Sequence, residues 1–113
     1  MVKKLILRNQ DVKRVLVGIP KGHKHVRVIV ELSNGTLFVF HEATIANITR
    51  AFINVITHPQ RKAVELICTK LERRKRGFAE YQLIENPRED EVIIDEITEV
   101  ILNDSTHIPH SLV

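Results

Sequence analysis

The rhythm of apolar and polar positions changes several times along this chain, and each change predicts an element. Leu5, Ile6 and Leu7 form a short apolar run, a strand or the lead-in to a helix. Val12, Val15, Leu16 and Ile19 then recur at i, i+3, i+4 and i+7, the period of an amphipathic helix. Asn9 or Asp11 would cap that helix, and Gly18 and Pro20 would stop it. A basic loop follows, Lys21-Gly22-His23-Lys24-His25. Residues 26–32 alternate, Ser33-Asn34-Gly35-Thr36 interrupts, and residues 37–41 return. Asn-Gly between two β-rich runs predicts a hairpin, because a type I′ turn needs positive φ at both central residues.

Helical periodicity begins near Ala43, where Ile45, Ile48, Phe52, Val55 and Ile56 make one stripe. His58-Pro59 breaks it, and Pro59 suits the first turn of a next helix. That helix would carry Ala63, Val64, Ile67, Cys68 and Leu71 on its apolar side and end in Arg73-Arg74-Lys75-Arg76, stopped by Gly77. Residues 78–85 read as a third strand. Asn86-Pro87-Arg88-Glu89 reads as a helix start, with an Asn cap and Pro at the first position. Ile93, Ile94, Ile97, Val100 and Ile101 stripe the final helix, and residues 103–113 are a tail. With no repeat, low-complexity tract or linker, residues 1–102 read as one domain.

A two-residue turn at Asn34-Gly35 would pair Leu32 with Leu37, Glu31 with Phe38, Val30 with Val39 and Ile29 with Phe40. Side chains alternate faces along a strand. One face would then hold Val28, Val30, Leu32, Leu37 and Val39, an aliphatic core. The other would hold Arg27, Ile29, Glu31, Phe38 and Phe40. Two phenylalanines beside an arginine can stack unpaired bases while the cation holds phosphate. The alternative is that helices or another subunit cover this face, since an exposed Phe pair is otherwise a liability.

Composition narrows the classes. The 113 residues are 43% hydrophobic and 27% charged, which is globular. Cys68 is alone, which excludes an intramolecular disulfide or a Cys-based zinc site. Four glycines, at 18, 22, 35 and 77, leave no glycine-rich phosphate loop. No apolar run reaches the ~18 residues of a membrane span, and the apolar run within the first eight residues is too short for a signal peptide. The expected address is the cytoplasm.

Charge is distributed in two blocks. Residues 1–79 hold 16 of the 17 Lys and Arg against five acids, a balance of +11; residues 80–113 hold Arg88 against nine acids, a balance of −8. A basic surface favours polyanions through phosphate neutralisation and counterion release. The competing reading is that the blocks neutralise each other, within a subunit or between subunits. Arg73-Arg74-Lys75-Arg76 is the densest basic run, extended by Lys70, with Phe78 and Tyr81 close in sequence. A solvated helix end would look the same. The histidine pairs His23/His25 and His107/His110 lack a local Cys or a convergent carboxylate, so no metal is expected. No Gly-x-Ser-x-Gly, no His-Glu-x-x-His and no Ser–His–acid order is present, so no catalytic residue is expected. The carboxylates of the last helix fit a solvated face opposite its isoleucines.

The order of these features resembles the ThermoDBP-related proteins, small single-stranded DNA-binding proteins of thermophilic archaea. The segments that carry the resemblance are residues 26–40, the run His58-Pro59-Gln60-Arg61-Lys62, and the stretch from Leu71 through Arg73-Arg74-Lys75-Arg76-Gly77-Phe78 to Tyr81. It covers roughly residues 20–100 and is one of pattern and size. It implies an α/β domain that is not an OB-fold, oligomers assembled through helices, and single strands held in basic clefts with apolar and aromatic floors, including channels between subunits. The long C-terminal zipper of some relatives is absent from residues 1–113.

The expected fold is therefore α+β: a single domain with an antiparallel, hairpin-centred sheet packed by three or four helices. The expected function is non-specific binding of single-stranded nucleic acid, DNA first and RNA second, by a homo-oligomer, dimer or tetramer, without cofactor or membrane. Lys24, Arg27, Lys70, Arg73, Arg74 and Arg76 would meet phosphates, and Phe38, Phe40 and Tyr81 would stack bases. The alternative is a structural or regulatory oligomer whose basic and acidic segments pair between subunits.

Overall fold

The computed structural model describes residues 3–72 and 80–102. They form a small α+β protein with two antiparallel sheets and two α-helices. The described residues group into two units, one of residues 3–45 with 101–102 and one of residues 46–72 with 80–100.

The first unit is built on a three-stranded sheet in the order β1 (Val12–Gly18), β2 (Arg27–Leu32) and β3 (Leu37–His41), all antiparallel. The helix expected over residues 11–19 is strand β1, preceded by one 3-10 turn, Asn9–Asp11. The reason is compositional. Val12, Val15 and Val17 are stiff at χ1 and favour a pleated surface, and pairing with β2 satisfies the backbone groups along one side of the strand. A bulge between Val12 and Arg14 absorbs one residue, and Lys13 and Arg14 both reach Glu31, at 3.9 Å and 2.6 Å.

The hairpin forms, but one residue away from the expected register. The pairs are Glu31–Leu37, Val30–Phe38, Ile29–Val39, Val28–Phe40 and Arg27–His41. Gly35 N–H donates to the Leu32 carbonyl and Leu32 N–H to the Thr36 carbonyl, both at 2.9 Å. The loop is thus three residues, Ser33-Asn34-Gly35: a type I turn closed by a left-handed glycine at φ +92°. Asn34 keeps negative φ, and its Oδ1 accepts from Thr36 N–H at 3.0 Å. Ser33 donates both its N–H (3.0 Å) and its hydroxyl (3.2 Å) to the Asp11 carbonyl, tying the loop to the start of β1. Because side chains alternate, the slip moves the entire partner strand to the other face.

Helix α1, Glu42–Thr57, follows β3 directly. Glu42 in its first turn accepts from Val26 N–H at 2.8 Å and from His25 at 3.1 Å. The second unit adds a two-stranded sheet, β4 (Leu66–Lys70) with β5 (Tyr81–Glu85), and helix α2 (Asp90–Leu102). The helix expected after Pro59 is overturned. His58-Pro59-Gln60 makes a turn, residues 61–65 have no regular secondary structure, and Leu66–Lys70 pairs residue by residue with Tyr81–Glu85. Short apolar runs fit either period, and here cross-strand pairing decides. The last helix begins at Asp90 and not near Asn86, because Asn86 is held by Glu65: its N–H donates to the Glu65 carbonyl and its Nδ2 to Oε1, both at 2.9 Å. Leu32 in the first unit, and Ala63 and Ile93 in the second, are the fully covered apolar side chains among the described residues.

The loop geometry separates two substitutions. Gly35→Ala forces an L-residue into a left-handed conformation, a cost of about 1–2 kcal/mol. Asn34→Ala loses one hydrogen bond, about 0.5–1.5 kcal/mol, without strain. Urea denaturation should rank Gly35→Ala as the more harmful. Equal large losses would instead indicate positive φ at both positions, the two-residue turn.

Candidate nucleic-acid interface

In the first unit, the candidate residues are divided by the sheet. Phe38 and Phe40 lie opposite Val30 and Val28 and share their face with Val15 and Val17. Both rings are half-buried, with centroids 6.5 Å apart and planes tilted by 33°. Arg27 pairs with His41 and so projects from the other face, with Leu16, Ile29, Leu37 and Val39. The expected Arg27–Phe38–Phe40 surface is corrected by the register: the rings and the cation are on opposite sides. Arg27 donates instead to the carbonyls of Val26 (3.3 Å) and His25 (3.5 Å). Lys24 is exposed in the loop between β1 and β2. That loop turns at Pro20-Lys21-Gly22-His23, where His23 N–H meets the Pro20 carbonyl at 3.0 Å and Gly22 supplies φ +78°.

In the second unit, strand pairing assembles what the helical reading separated. Lys70 and Tyr81 are directly opposed, on one face, at the last pair of the β4–β5 ladder. Leu71 N–H to the Glu80 carbonyl (2.8 Å) carries the ladder one step further. Tyr81 is 56% exposed. Lys70 meets the Glu80 carboxylate at 3.4 Å, an exposed pair of little energy that an incoming phosphate can exchange. The chain between Glu72 and Glu80 contains Arg73, Arg74 and Arg76, which lie outside the described residues. So does the expected C-terminal tail.

Arg61 and Arg88 are committed to carboxylates. Arg61 bonds Glu85. Arg88 Nη1 bridges Glu65 (3.0 Å) and Glu96 (3.1 Å) at the rim of a 270 Å³ cavity lined by Val64, Ile93, Ile97 and Val100. Asn86 and Arg88 together hold the Glu65 carboxyl below its ordinary value of 4.5. The Val26 N–H and His25 do the same for Glu42, and the Arg14 and Lys13 side chains for Glu31. Among the described residues, no three His, Cys, Asp or Glu side chains converge as metal ligands. No described helix is long and apolar enough to cross a membrane.

Two expectations follow. The half-buried rings contribute packing, so Phe38→Ala and Phe40→Ala should each lower stability by about 2 kcal/mol, read from denaturant midpoints. Unchanged midpoints would mark them as solvent-facing. The three depressed carboxylates contribute stability that is complete above their ordinary value of 4.5 and is lost as pH falls through their lower folded values. Melting temperature should therefore fall on acidification below about pH 4.5. Glu65→Gln should lie below wild type at pH 7 and converge with it once pH has fallen below the lowered folded value of Glu65. A constant gap would remove Glu65 from the linkage. No protein-family model, curated protein or solved structure matches this chain.

Proposed function

We propose that the protein binds single-stranded nucleic acid, DNA in the first place, largely without sequence specificity and as a homo-oligomer. The observation that carries this reading is the β4–β5 hairpin. An exposed tyrosine ring stands across from a lysine at the end from which the chain runs into Arg73-Arg74-Lys75-Arg76. An aromatic platform beside a cation suits stacked, unpaired bases with phosphates alongside. A duplex hides its base faces and leaves only the phosphates to such a site. Tyr81 and Lys70 with Arg73, Arg74 and Arg76 form the proposed contact. Phe38 and Phe40, placed with aliphatic neighbours, support the fold and not the strand.

A second reading has its own support. Arg61–Glu85 and Lys70–Glu80 already join the basic and acidic blocks. Extended between subunits, such pairing would build a structural oligomer with no nucleic-acid ligand.

Binding of labelled single-stranded DNA, RNA and duplex DNA across a salt series separates the two. Log affinity for the single strand should fall linearly with log salt, by ~0.7 for each phosphate contacted. Arg73→Ala with Arg74→Ala should flatten that slope by ~0.7 per cation removed, for every sequence alike. Tyr81→Ala should cost ~1–3 kcal/mol of single-strand affinity. Binding that ignores salt, or equal affinity for duplex and single strand in wild type and Tyr81→Ala alike, would rule the reading out.

A further inference from the structure

Helix α1 buries no residue completely, and exposure rises along its apolar stripe: Ile48 is 48%, Phe52 60% and Ile56 62% exposed. Ile45, Ile48, Phe52 and Val55 alternate spacings of three and four, the seam of a left-handed helix pair. Charge is nearly absent. Of sixteen residues only Glu42 and Arg50 are ionised. Glu42 is held by Val26 and His25, and Arg50 bonds Asn47 on the side away from the stripe.

We infer that this stripe is the contact surface for α1 of a second copy of the chain, in a two-fold pair. Charge selects the occupant. In a two-fold contact each patch meets itself, so a patch of one sign repels its own copy. The exposed Val15, Leu16 and Val17 of β1 are flanked by Lys13 and Arg14, which share the one carboxylate of Glu31 and leave a net positive charge there, and α2 carries five acids and no base. The α1 stripe is the long apolar surface among the described residues that two identical chains can bring together without opposing like charges. Burial argues the same way. With Leu32, Ala63 and Ile93 alone fully covered, the described residues hold little core, and a copy of the chain is the one partner present whenever the chain folds. Phe52, at the middle of the stripe, is the anchor, since large central aromatics carry most of an interface. This inference rests on the homo-oligomeric part of the proposed function and on no nucleic-acid contact.

The test is the mass of the full chain by light scattering at micromolar concentration, without nucleic acid. Twice the 13.0 kDa chain mass, or an even multiple of it, is expected. Phe52→Glu should raise the dissociation constant by at least ~30-fold and yield a smaller, still helical species. A wild-type mass of 13.0 kDa or an odd multiple overturns the inference, and so does Phe52→Glu with the wild-type mass. If Phe52→Glu does not fold, Ile48→Cys in a Cys68→Ser background reads the same surface. Its thiol should react with iodoacetamide more slowly as protein concentration rises through the association range. A rate independent of concentration overturns the inference. Because no nucleic acid is present, either outcome stands apart from success or failure of strand binding.

Discussion

The first unit depends on one local constraint, the three-residue loop Ser33-Asn34-Gly35 that closes the β2–β3 hairpin. Gly35 takes the left-handed conformation, Asn34 caps Thr36, and Ser33 is fastened twice to the Asp11 carbonyl. Together these set which residue of β3 meets which residue of β2. Since a shift of one residue exchanges the faces of a strand, the loop decides whether two aromatic rings sit beside an arginine or beside valines. Here they sit beside valines. The same anchor fixes the start of β1, because Asp11 is the residue just before it. One turn thereby determines the composition of both sheet faces.

Much of the architecture is legible in the residues themselves. The hairpin follows from Asn34-Gly35 between alternating runs, α1 from the isoleucine stripe between His41 and His58, and α2 from Ile93 through Ile101. What is not legible has a common physical cause. Val12 to Ile19 and Ala63 to Leu71 contain apolar residues at helical spacing, yet they also carry the β-branched residues that pack well on a sheet. Long-range pairing with β2 and β5 settles both in favour of strand, and no local count contains that information. The hairpin loop fails differently. Asn-Gly fits a two-residue turn, but Gly35 alone can supply the left-handed residue of a three-residue one. The candidate site inherits both errors. Phe38 and Phe40 lose Arg27 through the register, whereas Lys70 and Tyr81, eleven positions apart in the chain, become neighbours only once β4 is a strand.

Charge and burial give the molecule its remaining character. The basic and acidic blocks read from the sequence meet locally at Arg61–Glu85 and Lys70–Glu80, so the blocks are not simply two separate fields. Exposed ion pairs of this kind are weak and exchangeable. Apolar residues are spread over strands and helices, and many of them are exposed among the described residues. A protein arranged in this way would offer its basic hairpin to a ligand and its neutral helix to its own copy, two surfaces of different chemistry that need not compete.

The location of the strand contact decides most between these possibilities, and photo-crosslinking reads it directly. A single-stranded oligonucleotide carrying 5-iodouracil, irradiated with the full chain at low salt, should attach to the peptide that contains Tyr81. Crosslinking should vanish when an unlabelled single strand competes and persist when a duplex does. Attachment at Phe38 or Phe40, or no competable attachment at all, would contradict the placement of single-stranded nucleic acid on the β4–β5 hairpin.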